Sequence, residues 1–267
     1  MISLKEKNII LTGGLGILGK TLTKDLVLLG ANVIILDVQK NDQVKKIEDY
    51  KKIKNKIYYF KCDTSKKNNV EKVKNLIVKK FKSINVLINA ASITDAVEKK
   101  NNFNSTKFEN FSFKSWKSNI SNNLDSLFLC CQIFGKELIK TKNSSIINIG
   151  STYGVVGPDQ SIYKIKNKKQ TFFKSPSYPT TKGAVISFTK YLASYWGNKG
   201  LRVNTVSPGG IFNNQNKNFL KKYSEKTLLN RMAKREEISN VIVFLCSDKS
   251  SYMTGSNILV DGGWTTI

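Results

Sequence analysis

Lys7-Asn8-Ile9-Ile10-Leu11-Thr12 runs directly into Gly13-Gly14-Leu15-Gly16-Ile17-Leu18-Gly19. The first six residues read as a buried strand. The glycines then force a turn, and an apolar periodic segment from Ile17 to Leu29 reads as a helix stopped at Gly30. A glycine run between a strand and a helix suits an anion. Gly14 and Gly16 let the backbone turn tightly and approach a pyrophosphate, Gly19 lets helix and strand pack closely, and the helix start offers unpaired N–H donors. The next strand, Asn32 to Asp37, ends in a carboxylate about twenty residues on. That context makes the glycine pattern a dinucleotide fingerprint rather than a bare turn. Gly13, Gly14, Gly16, Ile17 and Leu18 are the expected backbone contacts. Asp37 is expected to accept from the adenosine ribose hydroxyls. Its charge would repel the 2′-phosphate of NADP, so NAD is favoured, although Lys40 lies near enough to soften that preference.

Working outward, strand-like runs alternate with helical segments, the pattern of a parallel sheet covered on both faces. Further strands are expected at 57–63, 84–90, 145–151, 201–207 and 257–260, with helices near 69–81, 113–139, 179–196 and 236–246. The expected architecture is therefore α/β: one doubly wound, seven-stranded parallel sheet of the Rossmann type spanning residues 1–267. Two stretches break the rhythm. Residues 158–175, with Lys164, Lys166, Lys168 and Lys169, form an insertion; residues 211–230 follow Pro208-Gly209-Gly210 and read as a lid. Each also reads as an ordinary surface loop.

A second signal is Ser177-Tyr178-Pro179-Thr180-Thr181-Lys182. Tyr178 and Lys182, four apart, project from one helix face. A cation about 4 Å from a phenol, at an effective dielectric of about 20, contributes roughly 4 kcal/mol, or about three pKa units. That brings a tyrosine into the range of general acid/base work.

Composition narrows the classes. The 267 residues include no histidine, which removes the Ser-His-Asp and Cys-His hydrolases of the usual kind. Cys62, Cys130, Cys131 and Cys246 lie in apolar segments without metal-ligand spacing, so they are expected to be buried thiols, with no metal. No leader-like segment and no apolar run near the length of a membrane span is evident, so a soluble, cytoplasmic protein is expected. The formal charge is +25, yet Arg202, Arg231 and Arg235 are the only arginines. Scattered lysine without the arginine fork describes a solvated basic surface better than a dedicated nucleic-acid face, and it attracts anionic small molecules. A non-catalytic, nucleic-acid-binding or scaffold protein on the same fold is the alternative from another class.

Taken together, the chain resembles the short-chain dehydrogenase/reductase family from about Lys5 to Trp264. The resemblance is carried by Thr12 to Gly19, Leu87-Ile88-Asn89-Ala90-Ala91, Trp116 with Asn123-Leu124, Asn148-Ile149-Gly150-Ser151, Tyr178 to Lys182, Arg202-Val203-Asn204, Ser207-Pro208-Gly209 and Val260-Asp261-Gly262-Gly263. It implies a catalytic tetrad at Asn123, Ser151, Tyr178 and Lys182. In it Ser151 binds the substrate oxygen, Tyr178 passes the proton, Lys182 lowers the tyrosine pKa and binds the nicotinamide ribose, and Asn123 holds a connecting water. It also implies that Pro208, Gly209 and the Ile211 amide lie by the nicotinamide carboxamide, that Asn89 and Ala90 border the coenzyme, and that the protein is a homotetramer. Asp63 has two readings, an adenine contact or a cap with Thr64 and Ser65.

The chain departs from the family pattern in its glycine spacing, in Ala90, and in a gap from Ser151 to Tyr178 about twice the usual length. With Tyr153 to Pro158 and Tyr195-Trp196, these features are similar to dehydrogenases of flagellin modification and legionaminic-acid-type sugar synthesis. The expected activity is NAD-dependent interconversion of a secondary alcohol and a ketone on a sugar-like substrate. A sugar epimerase or dehydratase that recycles its NAD is the alternative among enzymes.

Overall fold

The computed structural model describes residues 2–93, 103–164, 170 and 172–266. Lys166, Lys168 and Lys169 of the insertion lie outside the described residues. Seven strands form one sheet, all parallel: β1 (Asn8–Thr12), β2 (Asn32–Asp37), β3 (Ile57–Lys61), β4 (Val86–Asn89), β5 (Ser145–Ile149), β6 (Arg202–Pro208) and β7 (Asn257–Val260), in the order β3-β2-β1-β4-β5-β6-β7. The order reverses between β1 and β4. A doubly wound sheet opens its binding crevice at that point, beyond the carboxyl ends of the strands.

Alternation along the strands builds two cores. Ile9 and Leu11 of β1 with Val33 and Ile35 of β2 pack on one face, against α1 (Ile17–Leu28) and α9 (Arg235–Cys246). Ile10, Ile34 and Leu36 point to the other face. There they meet α3 (Lys67–Lys80), α6 (Ser126–Leu138) and α7 (Ser177–Trp196). Helices on both faces are why these strands are apolar throughout and not alternating with polar residues.

Shorter elements complete the chain: α2 (Tyr50–Ile53), α4 (Phe103–Thr106), α5 (Phe113–Ile120) and α8 (Lys217–Ser224). The helix expected at 113–139 is instead three segments in series, because a π-helical turn, Ser121–Asp125, separates α5 from α6. The expected lid contains α8, and periodicity had shown neither this helix nor α2. All four cysteines are buried free thiols, and burial pushes Cys131 and Cys246 up to about 12. No helix among the described residues is long and apolar enough to cross a membrane.

A third, smaller core sits above the sheet. Ile162, Tyr163 and Phe172 of the insertion pack with Tyr223 of α8, Met232 and Trp264. Polar contacts run alongside: Lys222 Nζ donates to the carbonyls of Ser161 (3.0 Å) and Lys164 (2.5 Å), and Lys226 pairs with Asp159 at 2.8 Å. The insertion and the segment after β6 are thus one packed unit over the carboxyl edge of the sheet.

Candidate active site

The glycine turn after β1 uses each glycine differently. Gly13 has φ +67°, and a Cβ there would stand 2.8 Å from Ala91 Cα. At Gly14 a Cβ would collide with the Ile35 side chain, and at Gly19 with the Gly13 carbonyl, 2.2 Å away. Gly14 therefore serves packing against β2 more than approach to a ligand. Gly16 is the open position, meeting only the Gly13 oxygen at 3.2 Å. Gly16 caps α1 in extended conformation with no side-chain cap bond. The first-turn amides, those of Ile17 and Leu18 among them, have no intrahelical acceptors and suit a pyrophosphate.

Asp37, buried at the end of β2, ties this turn down. Its Oδ2 accepts from the Leu15 amide at 2.9 Å and its Oδ1 from the Gln39 amide at 3.0 Å. The carboxylate therefore stands beside the glycine turn, where the adenosine ribose of a dinucleotide belongs. Asp63 closes a local turn, its Oδ1 accepting from Ser65 N (3.0 Å) and Ser65 Oγ (2.7 Å). This is the capping type of contact, although the helix N-cap itself is Lys66.

After β4, Thr12 Oγ1 accepts from the amides of both Ala90 and Ala91 at 3.1 Å, locking the two loops together. The Asn89 side chain turns into the core. Its Nδ2 donates to Asn148 Oδ1 at 2.8 Å, Asn148 donates to Thr189 Oγ1 at 2.9 Å, and Thr205 Oγ1 donates to Thr189 Oγ1 at 2.7 Å. This chain of bonds steadies β4, β5, β6 and α7. Asn89 is not among the residues lining the cleft described below, whereas Ala90 is.

Ser151, Tyr178 and Lys182 converge on one cleft of about 490 Å³. Ser151 follows β5 and caps a short turn, its Oγ accepting from the Tyr153 amide at 3.2 Å. Tyr178 and Lys182 lie in the first turns of α7, where Pro179 is tolerated because a first-turn residue has no intrahelical N–H bond to lose. The helix start is held by Asn119 of α5, whose Nδ2 donates to Ser177 Oγ at 2.7 Å. Lys182 is buried and its Nζ donates to the Ile149 carbonyl at 2.7 Å. Nζ lies 5.7 Å from the centre of the Tyr178 ring. Burial lowers the Lys182 pKa to about 8.

Asn123 stands behind this group in the π-helical turn. Its Oδ1 accepts from the Ile93 amide (2.6 Å) and Ser92 Oγ (3.1 Å), and its Nδ2 donates to the Ile93 carbonyl at 3.0 Å. It pins the segment after β4 and is not among the residues lining the cleft. Such π-turns are frequent at functional sites.

On the far wall, Pro208, Gly209, Gly210 and Ile211 leave β6. The Gly209 amide donates to Val260 O, the Phe212 amide to Ala233 O and the Gly210 amide to the Tyr223 hydroxyl. Among the described residues no backbone acceptor is found for the Ile211 amide. Sequence reasoning missed several lining residues: Tyr153, Tyr163, Lys174, Asn213, Gln215, Asn216, Tyr223 and Met232. Tyr153 comes from the short turn after Ser151, Tyr163 and Lys174 from the insertion and the rest from the segment after β6, and no local pattern marks them as lining.

A family model described as enoyl-(acyl carrier protein) reductase matches residues 16–265. The chain is 31% identical to a 3-oxoacyl-[acyl-carrier-protein] reductase of Thermotoga maritima, covering 97% of this chain and 98% of the relative. It is 27% identical to post-translational flagellin modification protein A of Campylobacter coli, covering 98% of this chain and 99% of that protein. A short-chain dehydrogenase of Leptospira borgpetersenii, solved with bound NAD+, superposes with a TM-score of 0.85 at 32% identity, covering 98% of this chain and 94% of the other. The chain belongs to the short-chain dehydrogenase/reductase family and is a dehydrogenase/reductase of that family.

Proposed function

We propose that this enzyme is an NAD-dependent dehydrogenase that interconverts a secondary alcohol and a ketone on a polyhydroxylated, sugar-like substrate. The observation that carries the reading is the convergence of Ser151, Tyr178 and Lys182 on one cleft beside the open end of the glycine turn. Gly16, Ile17, Leu18, Asp37, Ala90 and Ile211 would hold the dinucleotide, which supplies the hydride acceptor when bound. Asp37 favours NAD over NADP, because its buried carboxylate would face a 2′-phosphate. Ser151 positions the substrate oxygen, and Tyr178 removes its proton as the alcohol is oxidised or returns it as the ketone is reduced. The buried cation of Lys182 favours the phenolate that must form. Asn123 supports the site by fixing the segment after β4. The cleft is also lined by the amide side chains of Asn213, Gln215 and Asn216, whose oxygens accept from Arg235, the Asn213 amide and the Phe219 amide and whose remaining amide hydrogens can donate to hydroxyls. The similarity to the flagellin modification protein is consistent with a sugar of surface-glycan metabolism.

A second reading, reduction of a 3-oxoacyl thioester, is favoured by the likeness to the Thermotoga protein. One assay separates them: NADH formation from NAD+ with a panel of polyols, sugars and nucleotide sugars, beside NADH or NADPH consumption with an acetoacetyl thioester. Turnover of the hydroxylated panel with NAD+ preferred over NADP+ supports the first reading; turnover of the thioester alone overturns it. Tyr178→Phe is expected to lower kcat by about a thousandfold or more, in the range of a lost general acid/base, while NADH binding, read by fluorescence, stays near wild type. A variant with full turnover would remove Tyr178 from the chemistry.

A further inference from the structure

Trp264 gives two phenols a common base. The Tyr223 ring lies 4.5 Å from the Trp264 ring, centre to centre, and the Tyr153 ring meets the same indole edge-on at 6.3 Å. Both tyrosines line the cleft that holds Ser151 and Tyr178. They reach it from different elements. Tyr153 belongs to the turn after β5, where its amide donates to Ser151 Oγ at 3.2 Å, and Tyr223 belongs to α8, with its ring buried in the third core.

Burial is the main reason that both hydroxyls stay neutral. It raises the two pKa values well above the ordinary tyrosine value of 10.0, and Tyr178 adds to the rise at each. That shared influence places the hydroxyls of Tyr153 and Tyr223 within electrostatic reach of the catalytic phenol.

Neither hydroxyl has spent its bonding capacity. A phenol has one proton to give and lone pairs that receive. Tyr223 accepts from the Gly210 amide, and among the described residues no acceptor is found for its own proton. Tyr153 meets the Tyr163 hydroxyl at 3.4 Å, a long contact in which either oxygen can donate. If Tyr153 donates there, its lone pairs remain for another group; if it accepts, its proton remains. A buried donor without an acceptor is costly, and a ligand oxygen relieves that cost.

We propose that Tyr153 and Tyr223 are specificity-determining residues that bind a hydroxyl on the carbon next to the one oxidised, so that the enzyme acts on vicinal diols and their α-hydroxy ketones in preference to isolated alcohols and ketones. This rests on the alcohol/ketone reading above and deepens it by naming the substrate feature that is recognised. With the reacting oxygen held by Ser151 and Tyr178, the neighbouring hydroxyl is the nearest polar group a substrate offers to phenols so placed. A hydroxyl both receives and gives, as this pair requires.

The test uses ketones in matched pairs at saturating NADH: dihydroxyacetone with acetone, acetoin with butan-2-one, and erythrulose with 4-hydroxybutan-2-one. NADH consumption is followed for the wild type, Tyr153→Phe and Tyr223→Phe, with melting temperature and NADH binding recorded for each. Both substitutions keep the ring on Trp264 and remove only the hydroxyl. Wild type should favour the hydroxylated member of at least one pair by about tenfold or more. In each variant the ratio of kcat/KM for the hydroxylated over the plain member should fall about three- to tenfold, as for one lost neutral hydrogen bond. A loosened fold would lower both members alike and leave the ratio unchanged. An unchanged ratio in a variant overturns the role of that tyrosine. A wild type indifferent to the neighbouring hydroxyl in every pair overturns the inference and leaves the alcohol/ketone reading standing. No turnover in any pair, with NADH still bound, overturns both.

Discussion

Lys182 shows how a single residue balances two demands. Its ammonium is useful beside Tyr178, yet burial opposes its charge and brings its pKa to about 8. The stability consequence has a definite sign. Between about pH 8 and the ordinary lysine value of 10.5, the unfolded chain holds a proton at this position that the folded chain has released. Stability therefore rises with pH across that window, by up to about 1.4 kcal/mol per unit, and is level below it. Lys182→Met should remove this slope. Denaturation of coenzyme-free wild type and variant from pH 7 to 10 measures the difference, and parallel curves would show that the lysine is charged throughout. The pairing of Tyr178 and Lys182 was legible from spacing, since four residues is one helical turn. That Nζ would be shared with the Ile149 carbonyl was not, because β5 is 33 residues away.

At the scale of elements, α8 and the insertion work as one piece. Tyr223 of α8 lies 4.5 Å from the Trp264 ring, centre to centre, and its hydroxyl accepts from the Gly210 amide. Burial raises the Tyr223 pKa, so this hydroxyl stays neutral. Tyr223→Phe keeps the ring packing and leaves a part-buried amide without its acceptor, at a cost of about 1 kcal/mol. The expected result is a melting temperature lower by several degrees and a KM for NAD+ raised several-fold, because Gly210 adjoins the Ile211 amide. An unchanged KM would detach α8 from the coenzyme loop. The strands were readable to within a residue or two because buried parallel strands are plain apolar runs. The π-turn around Asn123 was hidden, since a helix that gains one residue in a turn keeps almost the same apolar pattern.

For the whole molecule, the exposed faces of α6 and α7 carry a line of rings. Phe128, Phe188, Tyr191 and Tyr195 stand 6.0–6.1 Å apart from ring to ring, and Phe128, Tyr191 and Tyr195 are 44–60% exposed. So large an aromatic stripe on a surface otherwise rich in lysine fits a self-complementary interface in a homo-oligomer, which we propose is a tetramer. Tyr191→Glu combined with Tyr195→Glu places like charges across such a contact. Light scattering should then show a smaller assembly than the wild type; an identical mass would exclude this face.

Sequence alone determined the class of fold, the glycine turn, the acidic end of β2 and the helix bearing Tyr178 and Lys182. Each is a local pattern, set by the 3.6-residue and 2-residue periods or by a steric demand at one backbone position. Tertiary structure alone decided which lysines of a lysine-rich chain meet the Tyr178 ring, which amides close the cleft, and how the insertion docks on α8. Those outcomes rest on aromatic packing between segments some 60 residues apart, with Tyr163 against Phe219 at 5.7 Å, and contacts of that kind leave no periodic trace in the chain.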